Sequence, residues 1–362
     1  MRTDGPRPKI LFLFSNFHQR EFTGQAGTAW ELAKHLSKRF DVGLISNSEF
    51  PEPAEESSVH LWVFPCQGNP TAKYLLRFPL ILSHVLSWKP HRIHVHGLPF
   101  IVFAKVLGFL TRTPVTCSFN EDISLRPVLV QRAIAWCINR TAMTFVSCEY
   151  FRNVLMGLGV LYEKIIVAPF GLRDVFMEAA PAEVPQYDIV YVGDSRRSRG
   201  FDVVSRMIEK MTNTAFLLLL RWHSASAEAD YERIRQLSNV KILHFPYEKN
   251  LWDLLRSAKL VILPFRKTSA ILPPMTIVEA MALGRCVMTT RLPGTDEILS
   301  DSNAVREIEP DDLAGTVQMA RDLLRDEPER NRIGALAAKK MRALFSAQYS
   351  PFEKYFAENI GK

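Results

Sequence analysis

KILFLFSN, at residues 9–16, is an uninterrupted apolar run that stops in small polar residues, and runs of the same kind return at short intervals along the chain. A strand that is apolar on both faces belongs in a parallel sheet, covered above and below. A helical pattern follows, GTAWELAKHLSKRF (27–40), with Trp30, Ala33 and Leu36 at helical spacing, and then a second strand, DVGLIS (41–46). The unit repeats. Strands at HLWVF (60–64), RIHVHG (92–97), PVTCSF (114–119), AMTFVSC (142–148) and KIIVAPF (164–170) alternate with helices near 72–88, 99–111, 126–140 and 149–158. Strands separated by crossover helices specify a doubly wound α/β layer.

The chain's 362 residues exceed what one ordinary core organises, so two domains are expected. MEAAPAEVPQY (177–187), poor in large apolar residues and carrying two prolines, reads as the linker. The pattern then restarts with strands DIVYVG (188–193), AFLLLLRW (215–222), VKILHF (240–245), KLVILPF (259–265) and CVMTT (286–290), and with helices at 201–211, 251–258 and 275–285. The expected architecture is therefore two Rossmann-like domains, 1–176 and 188–340, followed by a tail, 341–362. Such sheets bind ligands at the carboxyl ends of their strands, which places a substrate cleft between facing halves.

Composition excludes several classes. At 47% hydrophobic and 23% charged the chain is globular rather than disordered or fibrous. Its five cysteines (Cys66, Cys117, Cys137, Cys148, Cys286) are scattered and never spaced C-x-x-C, which argues for unpaired thiols in a reducing compartment. The opening MRTDGPRPK is polar and carries no secretory signal pattern, so a cytoplasmic protein is expected. The apolar stretches 98–110 and 73–88 are interrupted by Lys105 and Arg77 and are too short to span a bilayer. With a net charge of +7, and with Lys73, Arg77, Lys105 and Arg112 beside Phe, Leu and Trp, they suit peripheral contact with an anionic membrane, or equally core helices with solvated basic ends. No nucleic-acid-binding motif accompanies the charge.

ILPPMTIVEAMALG (271–284) holds one carboxylate, Glu279, in an otherwise apolar run. Pro273 and Pro274 mark a helix start, because proline sets φ and gives up an N–H that the first turn leaves unused. The amides of Met275, Thr276 and Ile277 would then point out of the helix end, a site suited to phosphate. Glu279, one turn further in, has two readings. It either accepts hydrogen bonds from a ribose diol or merely complements the helix dipole.

Together these segments resemble the GT-B fold glycosyltransferases, specifically the retaining glycosyltransferase family four. The resemblance rests on LWDLLRSAKLVILPF followed by MTIVEAMALGRCVMTTRLPGTDEIL, on VSCEYFRNVL and KIIVAPFGLRDVF, and on TGQAGTAWELAKHLSKRFDV, and it runs from residue 9 to about residue 345. It implies two Rossmann-like domains facing across a cleft, the first for the acceptor and the second for the nucleotide sugar, with the C-terminal helix returning to the first. It assigns Glu279 to the donor ribose and Gly24 to the donor diphosphate. It also assigns the loop YVGDSRRSRGFD (191–202) to the phosphates, with Gly193 at its start, Arg199 in the family's Lys position and Asp194 where an Arg is usual. Arg196 and Arg197 would supply the cation lost at Asp194.

Other departures fall at the sugar end. Ile271 stands where a second Glu is usual, Asn120 where a His is common, and Arg221, Trp222 and His223 where a glycine turn is expected. Asn120 and Glu121 are the candidates for contact with sugar or acceptor. His94 and His96 face one side of a strand, a weak metal signal with no third ligand, and D-x-D is absent, so no metal and no cofactor beyond a UDP- or GDP-linked donor sugar is expected. The implied activity is retaining transfer to a glycolipid or polysaccharide acceptor at the inner membrane face. Ile271, Asn120 and Asp194 keep open an inactive protein that binds a nucleotide sugar or partners an active transferase. Glu121 and Asp122 keep open a nucleotide-sugar epimerase of the same fold.

Overall fold

The computed structural model describes residues 6–14, 24–46, 58–64, 77–119, 122–169, 171–178, 184–221, 225–245, 250–266, 274–300 and 303–360. The chain divides into two units, residues 1–171 with 347–362, and residues 172–346. The division falls earlier than the 177–187 stretch. The reason is that the helix Asp174–Glu178 packs with the second unit, its fully buried Phe176 meeting the Trp252 ring edge-on at 6.2 Å.

In the first unit, β1 (Lys9–Phe14), β2 (Asp41–Ser46), β3 (Val59–Val63), β4 (Arg92–His96), β5 (Val115–Phe119), β6 (Met143–Val146) and β7 (Ile165–Val167) form one sheet in the order β3-β2-β1-β4-β5-β6-β7. Every pairing is parallel, beginning with Lys9 opposite Asp41 and Ile10 opposite Arg92. The order reverses between β1 and β4, which is the topological switch point of a Rossmann sheet.

The core of this unit joins Phe12 and Phe14 of β1, Trp30, Ala33 and Leu36 of the helix Gly24–Ser37, and Phe145 of β6 to the tail. The tail is two helices, not one. Glu327–Phe345 ends in the second unit, and Ser350–Asn359 begins afresh behind Tyr349, with a proline in its first turn. Phe352 stacks on Phe145 at 4.1 Å, and Phe356 is fully buried, so the chain's last helix completes the first unit's core.

The second unit repeats the plan with β8 (Tyr187–Gly193), β9 (Phe216–Leu220), β10 (Val240–His244), β11 (Ala258–Leu263), β12 (Cys286–Thr289) and β13 (Arg306–Glu307) in the order β10-β9-β8-β11-β12-β13, again all parallel. Its switch point lies between β8 and β11. Every residue of FLLLL in β9 is buried, which explains the unbroken apolar run. Cys117, Cys137, Cys148 and Cys286 are unbridged and buried. Among the described residues no helix is long and apolar enough to cross a membrane.

Candidate active site

The loop after β8 is closely tied down at the second unit's carboxyl edge. Gly193 ends the strand, and a Cβ there would come within 2.6 Å of the Tyr191 hydroxyl. That hydroxyl passes beneath the loop and donates to the carbonyls of Asp194 (2.7 Å) and Arg199 (3.3 Å). Burial and the nearby Asp194 raise the Tyr191 pKa, so it remains a donor. A single turn, Arg197–Arg199, then leads to Gly200, whose φ of 76° starts the helix Phe201–Lys210. A Cβ on Gly200 would lie 2.0 Å from the carbonyl oxygen of Pro264, just past β11. Only glycine permits that approach with this φ. Arg266 N–H completes the seam by donating to the Ser198 carbonyl at 3.1 Å. The sequence thus ties the loop after β8 to the segment after β11, directly over the switch point.

The charges on this seam are paired in a way the sequence did not indicate. Three arginines were expected to converge. Instead, Asp194 accepts from the Arg196 backbone N–H (3.0 Å) and Nε (2.9 Å), and lies 3.7 Å from Arg199 Nε. Arg197 turns away, exposed, to within 3.7 Å of Asp202. The same Asp202 accepts from Arg266 Nη2 at 2.7 Å, and Asp311 accepts from Nη1 at 2.8 Å. The physical reason is proximity: a buried carboxylate at 194 recruits the nearest guanidiniums from its own loop.

Hydrogen bonding to Asp194 raises the Arg196 pKa. Burial lowers that of Arg199, against the pull of Asp194. The Arg199 guanidinium also sits 5.3 Å from the centre of the Phe265 ring. Arg196, Arg197, Arg199, Arg206 and Arg266 face the three carboxylates Asp194, Asp202 and Asp311, which leaves a positive surplus held in place by its own counter-charges. Arg221, half-buried, donates its backbone N–H to the Gly193 carbonyl at 2.8 Å.

The helix Met275–Ala282 rises at the same edge, because it follows β11 and precedes β12. Pro274 is its extended N-cap rather than its first helical residue. The Ile277 N–H is not free as expected, because it donates to the Pro274 carbonyl at 2.9 Å, which leaves Met275 and Thr276 to head the helix. Glu279 is only 6% exposed, and its Oε2 is buried with no hydrogen-bond partner among the described residues. Thr290, just past β12, buries an Oγ1 with no hydrogen-bond partner among the described residues.

Sequence reasoning missed Tyr191, Asp202, Phe265, Arg266 and Thr290. Phe265 and Arg266 carried a usable signal, since they follow a strand at the expected switch point. Asn120, Glu121, Ile271, Trp222, His223 and Pro273 lie outside the described residues.

In the first unit, Gly24 heads the helix Gly24–Ser37. Asp122 is occupied with structure: it accepts from the Ser124 N–H (2.9 Å), the Ser124 hydroxyl (2.6 Å) and the Tyr150 hydroxyl (3.3 Å), capping the turn Ile123–Leu125. That removes one of the two carboxylates on which an epimerase would depend. His94 and His96 are fully buried and bonded to Thr116 and Ser118 of β5. No three His, Cys, Asp or Glu side chains among the described residues are grouped to hold a metal ion.

Two family models match this chain. One, Glycosyltransferase Family 4, covers residues 22–174, and the other, Glycosyl transferases group 1, covers residues 186–326. The chain belongs to the GT-B glycosyltransferases of the family-four type. No curated protein sequence matches it. Among solved structures, Anabaena HepE in complex with UDP is similar at a TM-score of 0.77 and 16% identity, over 97% of this chain and 100% of that one. HepE has also been solved with UDP-glucose. Sucrose-phosphate synthase from Thermosynechococcus elongatus is similar at 0.77 and 13% identity, over 97% and 99%. WaaG, a glycosyltransferase involved in lipopolysaccharide biosynthesis, is similar at 0.69 and 15% identity, over 97% and 99%. These structures share the GT-B fold with this glycosyltransferase.

Proposed function

We propose that this glycosyltransferase takes a UDP- or GDP-linked sugar as donor and transfers the sugar with retention of anomeric configuration. The observation that carries the reading is Glu279, whose buried Oε2 has no donor among the described residues. A carboxylate oxygen held dry and unpaired costs stability, and a ribose diol supplies the hydrogen bonds that would offset it. The departing diphosphate would meet Arg199 and Arg196 and the amides of Met275 and Thr276. These are fixed charges and dipoles that need no reorganisation during transfer and take the place of a metal. Asp194 gives up part of that positive charge in exchange for holding both arginines in place. Gly24 and Gly193 would let backbone approach the donor, and Asn120 and Glu121 would serve the sugar or acceptor. HepE, solved with UDP and UDP-glucose, supports the donor class.

The acceptor we propose is a lipid-linked sugar or polysaccharide at the cytoplasmic face of a membrane. On the first unit, the helix Ile101–Thr111 lies between Phe78–Trp88 and Val128–Asn139, and none of the three carries an acidic residue. They expose Leu80, Val102, Phe109, Leu129 and Trp136, with Phe109 at 83% and Leu129 at 79%. Arg112, Arg132 and Arg140 stand exposed beside them, the last stacked on Trp136 at 3.8 Å. Apolar groups flanked by cations suit an anionic bilayer surface.

Flotation with phosphatidylglycerol vesicles is expected to carry the protein. Replacing both Phe109 and Leu129 by Ser should weaken that binding by roughly tenfold or more, since each buried side chain contributes about 1.5–3 kcal/mol. Equal flotation of the double variant would remove the membrane from the proposal. The activity itself is tested by incubating the protein with UDP-, GDP- and ADP-sugars plus membrane extract, then measuring nucleotide release and the product anomer. A retained anomer supports the reading. Tight binding without turnover across the acceptor panel would point to an inactive GT-B protein, and an altered sugar without transfer to an epimerase.

A further inference from the structure

The second unit is also hollow at the opposite, amino-terminal edge of its sheet. A cavity of about 590 Å³ opens beside the first residues of β11 and β12, walled by the helix Glu327–Phe345 and by the turn Leu283–Arg285. Four cations line it, Lys259, Arg285, Arg330 and Arg342, and among the described residues the one acid in its wall is the exposed Glu327.

The local pairing does not use up this charge. Lys259 is held by Asp188 at 2.8 Å. Arg330, only 8% exposed, spends Nη1 on the carbonyls of Leu323 (2.9 Å) and Leu324 (3.2 Å), closing the helix Leu313–Arg325, and its Nη2 is 3.9 Å from Glu327. Arg285 reaches the carbonyls of Arg256 (3.4 Å) and Ala258 (3.2 Å) through Nη1, while its Nε is buried with no hydrogen-bond partner among the described residues. Burial and the neighbouring Arg256 and Arg330 all pull the Arg285 pKa down, and no carboxylate acts against them. Partly buried guanidiniums beside one another, only partly offset by Glu327 and Asp253, repel each other and cost stability. An anion between them adds an attraction that opposes those terms.

We infer that this cavity is a second ligand site, separate from the nucleotide edge, that takes a phosphate-bearing small molecule. A phosphoryl group offers several acceptor oxygens to planar guanidinium donors. The volume falls within the range of small-molecule sites, so the phosphate has room for an organic remainder.

Calorimetric titration of the full chain with inorganic pyrophosphate at fixed ionic strength tests this. Four proteins are compared: the native chain, Arg199→Gln, Arg285→Gln and Arg342→Glu. The Arg199→Gln protein is expected to keep a binding event that Arg285→Gln and Arg342→Glu each weaken at least tenfold. Arg342 is exposed, so its variant folds even if Arg285→Gln does not, and it then decides alone. Absence of the event in Arg199→Gln, or an event that Arg342→Glu leaves unchanged, overturns the inference. UDP titration of the same proteins reports on the nucleotide edge independently: Arg342→Glu should bind UDP as the native chain does, whatever pyrophosphate shows.

Discussion

Replacing Glu279 by leucine is expected to weaken UDP binding about a hundredfold, abolish measurable sugar transfer and at the same time stabilise the fold. The two effects share one cause. The carboxylate is buried and one of its oxygens has no donor among the described residues, a state that costs about 1–3 kcal/mol. Leucine is close in size, is an equally good helix former, and suits a helix whose neighbours Val278, Ala280 and Met281 are buried. Unfolding by urea should therefore show a gain of that order. With a ribose diol bound, the same carboxylate makes two charge-assisted hydrogen bonds, each contributing about 1.5–3 kcal/mol, and leucine makes none. The combined measurement is stringent. A structural Glu that merely complements the helix dipole would lose a few tenths of a kcal/mol on substitution and leave UDP affinity alone, and that pair of results would sink the ribose assignment.

Most of the fold was legible because buried parallel strands announce themselves. DVGLIS became β2, Asp41–Ser46, with both ends where the pattern put them, and KILFLF became β1, Lys9–Phe14, with residues 15 and 16 outside the described residues. What escaped were elements whose residues carry no such signal. β13 is two residues, Arg306 and Glu307, joined to the sheet edge by register alone. The tail's helical periodicity was plain, but the break near Ser346–Tyr349 was not, since the change of partner from one core to the other is a tertiary event.

The loop's place after β8 was legible, and its ion pairing was not. Gly200 and the arginines stand in the loop after β8, and nothing in YVGDSRRSRGFD indicates that Asp194 would fold back onto Arg196 and approach Arg199 while Arg197 sought Asp202. Which cation answers which acid depends on where the backbone turns, and that turn is enforced by Tyr191 from the end of β8 and by Pro264 from just past β11. RIHVHG was equally ambiguous. Alternation placed both rings on one face, and only the neighbouring Thr116 and Ser118 of β5 reveal a dry hydrogen-bonded network rather than a ligand set.

That network gives the first unit an acid sensitivity well above the range where carboxylates titrate. His94 binds Thr116 Oγ1 and Ser118 Oγ, each at 2.9 Å, and His96 binds the same Ser118 Oγ at 2.7 Å. Ser118 has one hydroxyl proton, so it donates to one ring and accepts an N–H from the other, an arrangement that suits two neutral imidazoles. Burial lowers both pKa values, that of His94 further because of His96, and that of His96 to about 3. Unfolded histidines take up protons near pH 6.5. Below that pH the unfolded state binds more protons than the folded one, so the stability these groups contribute is complete above about pH 6.5 and is lost as pH falls toward the folded values. The slope approaches about 1.4 kcal/mol per pH unit for each ring below pH 6.5, or roughly 3 kcal/mol for the pair between pH 6.5 and 5. Urea unfolding across that interval, followed through the first unit's buried Trp30, should show the loss, and the variant with both His94 and His96 changed to Asn should lose most of the slope. A native slope matched by the double variant would assign the acid sensitivity to other groups and leave the buried pair without this consequence.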